Sequence, residues 1–181
     1  MKWSNVEPDI KIHELQELIR FFGFTRGIFL LNTLDPFLAV CSTKCWQDIV
    51  RHLKPHNVEM GGLILGKIFQ NLSLDKTVVL MENIIKSEDH KSSSVSLEMG
   101  AGIWNVANNS LDDEQAVVGW YHSHPNLGAF FSGTDRMNQK ANFSSPFHIG
   151  LVYDPVREEL ASFRGADSLE MDTKKIMWVE N

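Results

Sequence analysis

His122 and His124 stand two residues apart, and seven residues separate His124 from a Ser132-x-x-Asp135 pair. Residues two apart on a strand share a face, so the two imidazoles project side by side with Trp120, while Tyr121 and Ser123 point away. Pro125 ends such a strand because it cannot donate to the ladder. The chain then loops through Asn126 and Gly128 to Ser132, a helix N-cap type, which puts Asp135 one turn into the helix on the same side. Two imidazoles and one carboxylate suit zinc and leave a fourth tetrahedral position for water, the pattern of a catalytic site. Zinc lowers the pKa of its water to about 7. A nearby carboxylate can take that proton and pass it to a leaving amine. Glu59, beside Gly61 and Gly62 on an expected buried strand, is the candidate, because a carboxylate there is costly without a partner or a task. Each residue alone has a plainer reading. Ser132 and Asp135 can be only a capping box, Glu59 only an ion-pair partner, and each histidine an ordinary strand residue. Their order and spacing together favour the metal reading.

These residues need elements to position them. The pattern predicts a helix over Ile10 to Phe22, a strand at Ile28 to Leu31, a strand at Phe37 to Cys41 and an amphipathic helix over Thr43 to Leu53 ended by Pro55. Strands follow at Val58 to Leu65, carrying Glu59, and at Thr77 to Glu82. A polar loop spans Lys86 to Ser94, and a helix runs from about Ala101 to Asn109. Ala116 to His124 reads as the strand of the paired histidines and Gly133 to Asn142 as the helix of Asp135. Phe147 to Tyr153 and Glu159 to Phe163 read as a strand pair, and Lys175 to Val179 as one more strand. Helices among strands in this order give an α/β sheet with helices on its faces. The expected division is an N-terminal extension at 1–36, a catalytic domain at 37–165 and a C-terminal strand or tail at 166–181.

The 181 residues suffice to bury a core without disulfides or metal, so a metal here is a functional question. A net charge of -6 supplies no basic excess to neutralise phosphates, which argues against nucleic-acid binding. No apolar run is long enough to span a bilayer and the start lacks an apolar signal core, so a soluble, cytoplasmic protein is expected. Cys41 and Cys45 lack a second pair to complete a four-thiolate site and read as small buried residues at a strand-to-helix junction. His13, His52, His56, His90 and His148 are expected at the surface or at junctions. His52 and His56 bracket Pro55 and lack the Glu of a zincin helix.

The His-x-His, seven-residue, Ser-x-x-Asp arrangement with an upstream Glu resembles the signature of the JAMM (MPN-plus or JAB) zinc metallopeptidases. The flanks agree: Val118 to Pro125 is similar to the eukaryotic-type deubiquitinases of the proteasome lid and signalosome, Glu59 to Gly66 to the segment around the family's catalytic Glu, and Phe147 to Pro155 to its following strand. The resemblance spans about Phe37 to Gly165 and looks nearest to compact prokaryotic JAB proteins, some of which accompany ubiquitin-like proteins and E1- and E2-like enzymes in antiviral defence. It implies a cytidine-deaminase-like curved mixed β-sheet with helices on its faces. It also implies one zinc per chain with a bound water, held by His122, His124 and Asp135, with Glu59 as general acid/base and Ser132 as oxyanion donor. The implied reaction is hydrolysis after the C-terminal glycine of a ubiquitin-like protein, whose tail would add as a strand at Ile85 to Leu97. Processing of a sulfur-carrier protein and a non-catalytic scaffold are the alternatives. The sequence departs from the eukaryotic enzymes at Gly128-Ala129-Phe130-Phe131, where they carry Gly-Cys-Trp-Leu, and at Asn138, where Thr is common; Gln139 matches. RadC-like proteins share the spacing but lack the Trp-Tyr lead-in.

Overall fold

The computed structural model describes residues 10–87 and 101–180. A short strand, β1 (Ile12–Glu14), leads through a 3₁₀ turn into helix α1 (Leu18–Asn32). Strand β2 (Phe37–Ser42), helix α2 (Thr43–Leu53) and the long strands β3 (Gly61–Asn71) and β4 (Lys76–Lys86) follow. Helix α3 (Ala101–Ser110), strand β5 (Ala116–Ser123) and helix α4 (Gly133–Asn142) come next. Strands β6 (Ile149–Asp154), β7 (Glu159–Arg164), β8 (Leu169–Met171) and β9 (Met177–Val179) complete the described chain. The strands form one mixed sheet in the order β8-β7-β6-β5-β3-β4-β2-β9, with β1 paired to β3. This is the curled mixed sheet with helices on its faces that the sequence predicts.

Strand β3 runs between two bulges, at Glu82 in β4 and at Val118 in β5, and the sheet curls there. Its register with β5 shifts between Ile64 and Leu65, and its register with β4 between Leu65 and Gly66. An extra residue at such a point bends the strand and increases its twist. A Cβ on Gly66 would lie 1.7 Å from the Leu80 carbonyl oxygen, so only glycine fits the bend. β3 pairs with β5 from Gly61 to Gly66 and, beyond that, with β1 at Ile68 to Gln70.

Three apolar clusters fill the faces. Under α2, Cys45, Ile49 and Leu53 pack on Ile64, Val79 and Tyr121. On the opposite face Trp120 meets Leu63, Phe131, Phe143 and Val152, with α3 contributing Ile103 and Ala107. Beneath α1, Leu18 and Leu30 pack on Leu38, Val40 and Phe69.

The opening segment differs from expectation. Ile12–Glu14 is a strand, and the helix begins at Leu18 and runs on through Ile28 to Leu31, where a strand was expected. Gly23 takes φ 74°, ψ 168° and kinks the helix, folding its second half onto the first. A Cβ on Gly27 would come within 2.6 Å of the Ile19 Cα, so a bare glycine at this contact lets the halves close. The buried Lys76 ammonium donates to the Leu31 and Thr33 carbonyls at the helix end, where a cation is favoured. The short apolar run at 28–31 thus takes its form from tertiary packing, because such a run has no decisive period of its own.

Other boundaries shift. Glu59 lies just before β3, which starts at Gly61, so it is not on a strand. His124 likewise follows the end of β5. His52 and His13 are buried, contrary to expectation: the His52 Nδ1 meets the Tyr121 hydroxyl at 2.8 Å, and the His13 Nε2 meets the Glu114 carbonyl at 2.9 Å. Cys41 and Cys45 are free and buried. His90 and most of the Ile85 to Leu97 segment lie outside the described residues.

Candidate metal centre

The site forms where three chain segments end together. β5 pairs antiparallel with β3, His122 opposite Gly61, and parallel with β6, His122 beside Val152. Past the last rung, the Ser123 amide donates to the Met60 carbonyl at 2.9 Å and the Met60 amide to the Ser123 hydroxyl at 3.1 Å. These two bonds hold Glu59, off the strand as it is, against the end of β5. Its Oε1 lies 3.7 Å from the His124 Nε2.

Asp135 reaches the same point from the first turn of α4. Ser132 is the N-cap: the Asp135 amide donates to its hydroxyl at 3.2 Å, and the Ser132 amide donates to the Asp135 Oδ2 at 2.7 Å. The capping box is real, yet it does not exhaust the carboxylate. Asp135 Oδ1 lies 3.2 Å from His122 Nε2, and Oδ2 lies 3.5 Å from His124 Nε2. The plain and the chemical readings of this pair therefore coexist in one side chain. The Ser132 hydroxyl accepts from the Asp135 amide and still carries a proton that it can donate.

His122, His124 and Asp135 are all buried, and one ligand-type atom from each falls within 4.8 Å of the others. Both ring nitrogens of His122 and the Nδ1 of His124 are buried with no hydrogen-bond partner among the described residues. Unpartnered buried nitrogens are rare and call for an explanation such as an ion. The donor set, two imidazoles and a carboxylate, fits zinc.

Electrostatics follow from this packing. Burial alone would raise the Asp135 carboxyl, but the His122 and His124 imidazoles and the Ser132 side chain outweigh it and hold it well below the usual carboxylate range. Burial would lower His124, and Asp135 and Glu59 reverse that and raise it. Glu59 goes the other way from Asp135: burial raises its carboxyl, with help from Asp135, against the pull of the two histidines. Two neighbouring carboxylates pushed in opposite directions suit different tasks, one a fixed anion and the other a proton carrier.

Trp120 stands on the face of the two histidines, as expected, whereas Phe130 and Asp154 were not legible as parts of the site. The Trp120 ring lies on the His122 ring at 4.5 Å and 7°. Phe130, exposed, lies 4.9 Å from the His124 ring and borders the opening. Asp154, at the end of β6, is inaccessible to solvent and accepts four backbone N–H groups, those of Asn126, Gly128, Val156 and Arg157. Burial pushes its carboxyl up, but these four donors win and hold it at about 2. Two of the donors belong to the loop that follows His124, so Asp154 ties down the segment between the histidines and Ser132. The only sequence signal for this role is an acid at the end of an apolar strand, immediately before Pro155.

Residues 42–165 match the prokaryotic homologs of the JAB domain. The chain is also 28% identical over 126 residues to COP9 signalosome complex subunit 5 of Eremothecium gossypii, covering 67% of this chain and 29% of that protein. Its Drosophila melanogaster counterpart is 32% identical over 106 residues, covering 55% of this chain and 31% of the relative. The chain thus spans about a third of the length of these curated relatives. In three dimensions, protein DSY2949 from Desulfitobacterium hafniense shares the fold, with a TM-score of 0.61 at 18% identity over 80% of this chain and 94% of that one.

Proposed function

Since the chain belongs to the prokaryotic homologs of the JAB domain, we propose that it is a zinc-dependent peptidase of the JAMM kind, with His122, His124 and Asp135 as the metal ligands. The observation that carries this reading is the convergence of three buried ligand atoms, with Glu59 beside them. Zinc bound there would supply Lewis acidity to the scissile carbonyl. Glu59, raised by burial, takes a proton from the attacking water and returns it to the departing amine. The Ser132 hydroxyl, beside the candidate ligands, donates to the developing oxyanion, a role commonly worth 10²- to 10³-fold in rate. Asp135 stays ionised throughout, because its surroundings hold it far below neutrality.

The substrate class rests on the sequence resemblance to the deubiquitinases and on the likeness to a COP9 signalosome subunit. We infer an amide or isopeptide bond after the C-terminal glycine of a ubiquitin-like protein, with E1- and E2-like enzymes as functional companions. The test has two steps. Elemental mass spectrometry on protein purified without chelators should find about one zinc per chain, lost in Asp135→Ala. Glu59→Gln should keep the zinc and lose cleavage of a ubiquitin-like fusion. A parent protein that takes up no zinc after reconstitution removes the peptidase reading and leaves a scaffold.

A further inference from the structure

Behind the candidate ligands runs a second set of contacts that closes a circuit. The Trp120 indole N–H donates to the Gln139 Oε1 at 2.6 Å. The Gln139 amide nitrogen in turn donates to the Phe143 and His148 carbonyls, at 3.1 and 3.3 Å, which fixes its orientation. Both side chains are fully buried. Gln139 follows Asp135 by four positions on α4, so the two share a face of that helix. Trp120 precedes His122 by two on β5 and lies flat on its ring. One ligand on a strand and one on a helix are thus linked twice, directly at 3.2 Å and indirectly through the indole–amide bond.

The packing reserves room for this bracket. A Cβ on Gly150 would fall 2.4 Å from the Phe131 ring, 2.9 Å from Gln139 Oε1 and 3.0 Å from Trp120 Nε1. The neighbouring strand is therefore bare where the bond forms. His122 lacks the hydrogen-bonded carboxylate or carbonyl that usually orients a metal-binding imidazole, since neither of its ring nitrogens has a hydrogen-bond partner. Ring stacking takes over that task, and the stack is only as fixed as the indole.

We propose that Trp120 and Gln139 are positioning residues that set the spacing and orientation of His122 against Asp135, and so set the affinity and geometry of the metal site. The proposal rests on the zinc reading above. Its test uses the full chain with Trp120→Phe, Gln139→Met and the double variant. Zinc affinity is measured by competition with a chromophoric chelator, cobalt geometry by visible absorption of the Co²⁺-loaded protein, and metal-free stability by urea unfolding. Each single variant should weaken zinc by roughly 10- to 100-fold, the usual effect of losing outer-shell support, and change the cobalt spectrum. The double variant removes both partners of the buried bond, so its stability should recover relative to the singles. Its zinc affinity should stay low, which a merely structural role does not predict. Parent-like affinity and spectrum in the folded variants would overturn the bracket while leaving the zinc site standing. Affinity that recovers in step with stability would overturn it too. Absence of zinc binding in the parent would overturn both the site and the bracket.

Discussion

Asp154→Asn isolates the clamp beneath the loop that joins the two halves of the site. In the parent, Oδ1 accepts from the Asn126, Val156 and Arg157 amides and Oδ2 from the Gly128 amide at 2.7 Å. An asparagine oxygen can serve the three donors at Oδ1, which leaves its NH₂ facing the Gly128 N–H, donor against donor. Losing one charge-assisted hydrogen bond costs about 1.5–3 kcal/mol. The carboxyl gives an independent figure: held at about 2 against an unfolded value near 3.9, it contributes at most about 2.5 kcal/mol at neutral pH. The group sees no solvent but lies near the protein surface, and screening by nearby water lowers that ceiling. Both routes converge on about 2 kcal/mol, equivalent to about 4–8 °C in Tm for a domain of this size. The sign follows from the depressed folded pKa: the contribution is whole above about pH 4–5 and disappears as pH falls toward 2. Urea unfolding followed by tryptophan fluorescence at pH 7, 5, 4 and 3 reads the difference directly. Parent and variant should be fully separated at pH 7 and 5, with the gap narrowed to about half at pH 3 and closing only at about pH 2 and below. A variant as stable as the parent at pH 7, or a gap that widens as pH falls, would refute the clamp.

Other expectations follow from the same geometry. Gly119→Ala places a Cβ 1.9 Å from the Ile149 carbonyl oxygen and should cost more than about 3 kcal/mol, seen as loss of soluble protein or a collapsed urea midpoint. Tyr121→Phe removes the buried bond to His52 on the face away from the site. It should cost about 1 kcal/mol with zinc content unchanged, and a drop in zinc would link the two faces. Chelation of zinc should lower Tm only by the mass-action contribution of the ligand and leave the circular dichroism spectrum of a folded protein, since none of the three apolar clusters includes a candidate ligand. Unfolding by chelator alone would make the metal structural.

The site was legible to the extent that its chemistry is local. His122 and His124 are separated by one strand period, and Ser132 and Asp135 by one helical turn, so residue type and spacing suffice to orient each pair. Glu59 was legible as a buried acid without an obvious partner, although its place just before β3 was not, because the bonds between Met60 and Ser123 that end the strand bridge 63 positions. Trp120 was legible on the face of the histidines by the same strand period, but its bond to Gln139 and the Gly128–Asp154 bond span 19 and 26 positions, and no periodicity encodes such contacts. The opening segment misled for a related reason. The apolar residues at 28–31 fit a strand or a helix equally well, and the close approach of Gly27 to Ile19 decides between them.

The bulges that flank β3 have a consequence for solubility. β5 begins at Ala116, opposite Gly66 and next to its bulge, so it leaves the far half of that β3 edge without a partner, and β1 fills the gap at Ile68, Phe69 and Gln70. An uncovered run of backbone amides and carbonyls beside buried Ile68 and Phe69 is the kind of edge on which chains add to one another and aggregate. The opening strand, three residues long, therefore acts as an edge guard. Trimming the chain to the segment that carries the catalytic signature would remove that guard and leave a sticky edge in its place.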